Sequence, residues 1–186
     1  MQSSIRKFLR WEDAQLGLFG KIVLIEGLKQ LGIEKDALEN IRYTPFNRPY
    51  SSENIDFNIS HSGQVVVCAI SRNHRVGIDI EKIRSIDIHE FAGQFNTTEL
   101  SQIHQAQEPL HEFYNWWTKK ESVIKAEGKG LSMTLKDIIF KSPLVAETES
   151  CSWYLYNLAI DEDYCCHLAT DCKDEVQIKV ERIILD

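Results

Sequence analysis

Apolar residues at positions 18, 22, 25 and 28 recur at the spacing of one helix face. They predict a first helix over about 12–31, with Gly32 as its stop. A stretch rich in turn residues, YTPFNRPYSSEN, then leads into DFNIS, which has strand character. The unbroken apolar run VVVCAI (65–70) predicts a buried strand, SRNHR turns the chain, and VGIDIE (76–81) predicts another strand. Residues 84–107 are polar with scattered apolar positions, and Thr97 or Thr98 is available there as a helix cap. A second long helix is expected over 109–127, PLHEFYNWWTKKESVIKAE, with Pro109 in its first turn and Gly128 at its stop. DIIF (137–140), SWYLYNLAI (152–160), YCCHLAT (164–170) and VQIKV (176–180) follow as strands. Helix then strands thus occurs twice, and this segregated order predicts an α+β fold.

Length and composition narrow the picture. A chain of 186 residues suits one large domain or two small fused lobes. With 43% hydrophobic and 26% charged residues it reads as globular and soluble. No apolar run is long enough to span a membrane, and MQSSIRKFLRWEDAQ has no apolar signal core, so the cytoplasm is the expected location. A net charge of −7 argues against general nucleic-acid binding. Within that acidic body, Lys119, Lys120, Lys125 and Lys129 stand against only Glu121 and Glu127 over 117–129. Such a patch suits an anionic substrate or an acidic partner, although a solvated helix face is the simpler explanation. The five cysteines are odd in number and match no zinc spacing, so neither a disulfide nor a metal is assigned to them.

The candidate chemistry lies in a few short segments. Asp79 and Glu81, two apart on a strand, leave the same face, while Ile78 and Ile80 face a core. Adjacent carboxylates repel unless a positive charge lies between them, and a hard divalent cation meets that need. Glu121 and Lys125 are i and i+4 on the second helix and share a face, with Trp117 one turn earlier. Ser60, His61 and Ser62 precede Gly63 at a strand end, which suits an exposed loop with free donors. Arg48 and Pro49 lie upstream, and arginine is the usual fork for phosphate oxygens. Each feature alone is better explained by an ordinary solvated surface; their order along one chain is what changes the reading.

The series NRPY, FNISHSG, VGIDIE and FYNWWTKKESVIKAEGKGL resembles the Sfp-type 4′-phosphopantetheinyl transferases. Both of that family's most specific patterns, G-[IV]-D-x-E on a strand and W-[ST]-x-K-E-[SA]-x-x-K on a helix, are matched at every defined position. The resemblance runs from about WEDA at 12 to the strands after 135. It implies two similar α+β lobes related by a pseudo-twofold, here 1–83 and 84–186, forming one compact monomer with coenzyme A bound between them. It implies Mg²⁺ (or Mn²⁺) held by Asp79, Glu81 and Glu121, with Asp79 also on the coenzyme A side of the site. Lys120 and Lys125 would contact phosphates, Ser60 and His61 the nucleotide end, and Arg48 and Pro49 the adenine. Two departures stand out. Asn47 replaces a glycine, mildly, since asparagine tolerates left-handed geometry. The family usually carries more sequence before the WEDA segment, so a shortened N-terminal lobe is expected, and Arg6, Lys7, Arg10 and Lys21 are offered for the 3′-phosphate without a one-to-one match.

The implied reaction is attack by a serine of an acyl or peptidyl carrier protein on the β-phosphorus of coenzyme A, with adenosine 3′,5′-bisphosphate leaving. Glu121 is the candidate general base and Lys125 the candidate partner of the leaving phosphate. Lys119, Lys129, Phe91 and Phe95 are candidates for a carrier dock. A magnesium-dependent nucleotide or pyrophosphate hydrolase, and a non-catalytic coenzyme A or carrier-protein binding module, are the alternatives.

Overall fold

A computed structural model describes residues 11–33, 41–51, 54–174 and 176–184. Arg6, Lys7 and Arg10 lie outside the described residues. The first helix, α1 (Trp11–Gln30), packs over a hairpin of two long strands, β3 (Ile55–Ser62) and β4 (Val65–Arg72). Its buried face is not the expected 18/22/25/28 stripe. Leu24 and Leu28 are buried in a cluster with Ile55 and Phe57, whereas Leu18 is 58% exposed. The helix lies against the strands through Gly20 and Gly27, where a Cβ would run into Ile59 and Ile70. Glycine lets the backbone sit close, and a hydrophobicity pattern does not register it.

Between α1 and β3 the chain makes a small hairpin of β1 (Arg42–Tyr43) and β2 (Pro49–Tyr50). Asn47 adopts φ 62 there, the left-handed geometry expected of an asparagine in a glycine's place. The hairpin turn between β3 and β4 falls only after Ser62, so Ser60, His61 and Ser62 belong to the strand itself and not to a loop. β4 is apolar on both faces, with Val66 and Ile70 toward α1 and Val65, Val67 and Ala69 in a cluster with Ile78 and Ile80. Among the described residues it nevertheless pairs only with β3.

The second half is built on a five-stranded antiparallel sheet. In spatial order it runs β5 (Val76–Lys82), β9 (Tyr164–Thr170), β8 (Ser152–Asn157), β7 (Val145–Glu147) and β6 (Ile139–Ser142). β5, which a boundary after 83 would leave with the first lobe, is therefore hydrogen-bonded into the second half's sheet, in register Asp79↔His167 and Glu81↔Cys165. Residues 176–180 form no strand, against the expectation from VQIKV, although Ile178 packs into the cluster beneath β4 and β5.

Two helices complete this half. α2 (Thr97–Gln105) is capped by Asn96, not by a threonine, in a reciprocal box with Glu99. α3 (Pro109–Glu127) starts on Pro109 and stops at Gly128, φ 75, as its sequence requires. It lies across β5 and β9. Val123 and Ala126 enter a core with Ile138, Trp153 and Leu155, and each fully buried large side chain of this kind contributes about 1.5–3 kcal/mol. The helix comes close because the strand beneath it carries Gly77: a Cβ there would fall onto the Ser122 carbonyl and the Ala126 nitrogen. Helix, short hairpin and long antiparallel strands therefore recur in both halves, an α+β architecture. No described helix is long and apolar enough to cross a membrane.

Candidate active site

Strand alternation places Asp79 and Glu81 on the face of β5 that α3 covers, with Ile78 and Ile80 in the apolar cluster on the other side. Asp79 is 3% exposed. One of its oxygens, Oδ1, accepts from the Lys125 ammonium at 2.5 Å and from the Ser60 hydroxyl at 3.1 Å. Lys125 also donates to Ser60 Oγ at 2.8 Å. The other oxygen, Oδ2, is buried with no hydrogen-bond partner. Glu81 accepts from Ser62 Oγ at 2.7 Å.

Burial wins over ion pairing at Asp79. Desolvation pushes its carboxyl up to about 6, against the pull of Lys125, and Glu81 adds to the rise. Glu121 is raised as well, first by burial and then by Asp79, with Lys125 opposing. Asp79, Glu121 and Lys125 therefore share one electrostatic site, joining a strand and a helix more than 40 residues apart in sequence.

These residues suit a divalent cation in chemistry but are not closed around one as they stand. Among the described residues no three His, Cys, Asp or Glu side chains form a ready metal cluster. Glu81 is turned to Ser62, and the Lys125 ammonium sits on Asp79. Yet Asp79 Oδ2 is a buried carboxylate oxygen with no donor, in a setting that holds further carboxylates. Magnesium keeps several waters and needs only one or two protein carboxylates. The donor set fits.

The other expected site residues lie elsewhere. Lys120 does not join: its ammonium is fully buried, on Glu99 at 2.8 Å and the Leu135 carbonyl at 2.9 Å. On α3 it is adjacent in sequence to Glu121 and so points about a quarter turn away. The Arg48 fork is committed to Asp56, at 2.7 and 2.5 Å, with further bonds to the Lys125 and Val76 carbonyls. Arg48 thus ties the β1–β2 hairpin to β3, β5 and α3 and also lines a concavity at the start of β3, and Pro49 beside it is half-buried in β2. His61 is exposed and points away from the buried Ser60, because successive strand residues alternate. Lys119 is also buried, over the Trp116 ring, and Phe95 is buried against Phe113, so neither is free to dock a partner. Lys129 pairs with Glu127. The concavity beside Arg48 is about 500 Å³ and is also lined by Tyr43, Tyr50, Arg75 and Asp171 among others, and none of the carboxylates of the site lines it.

Two functional neighbours escaped the sequence reading, Asp56 and Asn58, while Ser62 was read as part of an exposed loop and not as a partner of Glu81. Their signal was present as a polar residue at every second position of IDFNISHS.

Comparison with known proteins follows this geometry. Residues 75–178, more than half of the chain, match the family model of the 4′-phosphopantetheinyl transferase superfamily. The 4′-phosphopantetheinyl transferase gsp of Aneurinibacillus migulanus is 41% identical over 136 residues, 70% of this chain and 55% of that protein. The 4′-phosphopantetheinyl transferase Sfp of Bacillus subtilis (strain 168) is 36% identical over 137 residues, 70% of this chain and 59% of that protein. The chain thus spans somewhat over half the length of these relatives. Among solved structures, the holo-acyl-carrier-protein synthase of Thermotoga maritima aligns at a TM-score of 0.39 and 15% identity, over 52% of this chain and 61% of that one. With its GIDIE strand and KES helix brought together around Asp79, the chain belongs to the 4′-phosphopantetheinyl transferase superfamily.

Proposed function

We propose that this protein transfers the 4′-phosphopantetheine arm of coenzyme A to a serine of an apo acyl or peptidyl carrier protein, releasing adenosine 3′,5′-bisphosphate. The observation that carries the proposal is the buried Asp79, with one oxygen on Lys125 and Ser60 and the other without a donor, beside Glu121. Family membership supports it.

In this reading Asp79, Glu81 and Glu121 would hold Mg²⁺. When bound, the metal supplies positive charge to the phosphoryl oxygens as they become more negative. The chain's own residues do the rest. Glu121, whose carboxyl is raised by burial, is a stronger base than a solvated glutamate and takes the proton of the incoming serine hydroxyl. The Lys125 ammonium, held at the site by Asp79 and Ser60, faces the developing charge of the leaving phosphate. Ser60 fixes both Lys125 and Asp79 through one hydroxyl. His61, exposed on the opposite face of β3 near its end, is left as the contact for a nucleotide phosphate. The nucleophile comes from the carrier, so the chain needs no activated serine of its own.

The test is direct. The protein is incubated with coenzyme A, Mg²⁺ and an apo carrier protein, and the carrier is weighed. A gain of one phosphopantetheine, lost with a chelator or in Glu121→Ala, supports the transferase. No gain on any of several carriers overturns it, and release of products from coenzyme A without a carrier points to a hydrolase instead.

A further inference from the structure

β5 is the edge strand of its sheet, and an edge strand carries a row of outward backbone donors that need partners. Among the described residues no strand pairs with that edge. Side chains of β3 reach it instead. Asp56 Oδ2 accepts from the Val76 N–H at 2.7 Å, and Asn58 Oδ1 from the Ile78 N–H at 2.9 Å. Ser60 Oγ accepts from the Ile80 N–H at 3.3 Å, and Ser62 Oγ from the Lys82 N–H at 3.0 Å. Every second residue of β3 meets every second residue of β5, each pair separated by 20 positions. A slip of one residue would turn each acceptor to the wrong face and leave buried donors unpaired.

We propose that this side-chain ladder sets the register of β5 against β3 and thereby places the carboxylates of the site, with Asn58 as a positioning residue. Two rungs are double. The hydroxyl that accepts from Ile80 also donates to Asp79, and the one that accepts from Lys82 also donates to Glu81. The rung at Asn58 touches neither carboxylate. It fixes the amide of Ile78, the residue immediately before Asp79, and so acts through the backbone alone. The outer rung is anchored in turn, because Asp56 holds both arms of the Arg48 fork while Arg48 binds the Lys125 carbonyl. Strand β5, strand β3 and the end of α3 are thus tied to one framework, and the Asp79–Lys125 contact is made across it. The inference deepens the transferase reading and rests on it for its catalytic consequence, although the ladder itself does not.

The experiment compares Asn58→Thr with Asn58→Val, nearly identical in shape and differing by one acceptor. Serine hydroxyls already fill the role at two rungs, so threonine retains it and valine does not. Two quantities are measured: hydrogen exchange at the Ile78 amide by NMR, and the Mg²⁺ concentration giving half-maximal transfer. Valine speeds exchange at Ile78, while Gly77 and Asp79, whose amides face β9, keep their protection. It also raises the Mg²⁺ requirement by ~10-fold, the scale of one buried donor left unpaired. KM for the carrier does not change, and threonine stays close to the parent on every measure. Equal behaviour of the two variants overturns the ladder. Faster exchange with an unchanged Mg²⁺ requirement overturns the positioning role. Should the valine chain fail to fold, Asn58→Ala against Asn58→Ser makes the same one-hydroxyl comparison. A parent protein with no transfer activity refutes the transferase reading and leaves the exchange measurement to decide the ladder.

Discussion

Asp79 is the residue at which the competing forces are most evenly set. It is ion-paired at 2.5 Å and still raised to about 6, because burial removes more hydration than Lys125 returns. The sign of the consequence follows. The folded protein binds this proton more tightly than the unfolded chain, whose carboxyl stands near 3.8. Stability from this group is therefore full below about 4 and is lost as pH rises through about 6, by up to ~3 kcal/mol. Without metal, the difference in urea midpoint between the parent and Asp79→Asn is expected to shift toward the variant between pH 4 and pH 7. A difference independent of pH would refute this. A metal reverses the balance by supplying the positive charge that burial took away. Apparent Mg²⁺ affinity, followed by titration calorimetry, is accordingly expected to weaken as pH falls below about 6.

At the scale of elements, the site depends on how closely α3 lies on β5. Gly77 sets that approach, since a single Cβ there would meet helix backbone rather than a movable side chain. Gly77→Ala is expected to force helix and strand apart and to destabilise by about 2–3 kcal/mol, a fall of roughly 4–12 °C in Tm for a chain this size. The proposed transfer activity should fall further than stability does, because Glu121 and Lys125 move with the helix. A Tm within a degree of the parent would show that the helix yields freely. The two neighbouring lysines of α3 make the complementary point. Lys125 faces β5 and belongs to the site, whereas Lys120 is spent on Glu99 and ties α3 to α2.

At the scale of the molecule, the two halves share no sheet among the described residues: Val65, Val67 and Ala69 of β4 pack on Ile78 and Ile80 of β5, and polar side chains bridge the rest. Arg48 is the clearest link. One guanidinium joins the first half's small hairpin to β3, to the start of β5 and to the last turn of α3. Arg48→Met leaves Asp56 with its charge largely buried and is expected to cost about 3–5 kcal/mol in urea unfolding. Arg48→Lys should recover only a fraction, since an ammonium cannot reproduce the bidentate fork. Full recovery by lysine would mean that charge alone matters there.

Much of this was fixed locally. The limits of α3 were readable because Pro109 and Gly128 act on their own backbone. β9 and the core of β5 were readable from apolar runs and alternation, and the shared faces of Asp79 with Glu81 and of Glu121 with Lys125 follow from periodicity alone. What failed was whatever depended on a distant partner. The buried face of α1 was set by glycines against Ile59 and Ile70, and residues 176–180 have strand character but pair with no strand among the described residues. Arg48 and Lys120 looked like free cations until Asp56 and Glu99 took them. By itself the sequence determined which side chains could form the site, because spacing along one element is a local property. Only the tertiary structure decided which cations were free to serve it and how β5 is held, because a charge or an edge donor is committed by what packs against it.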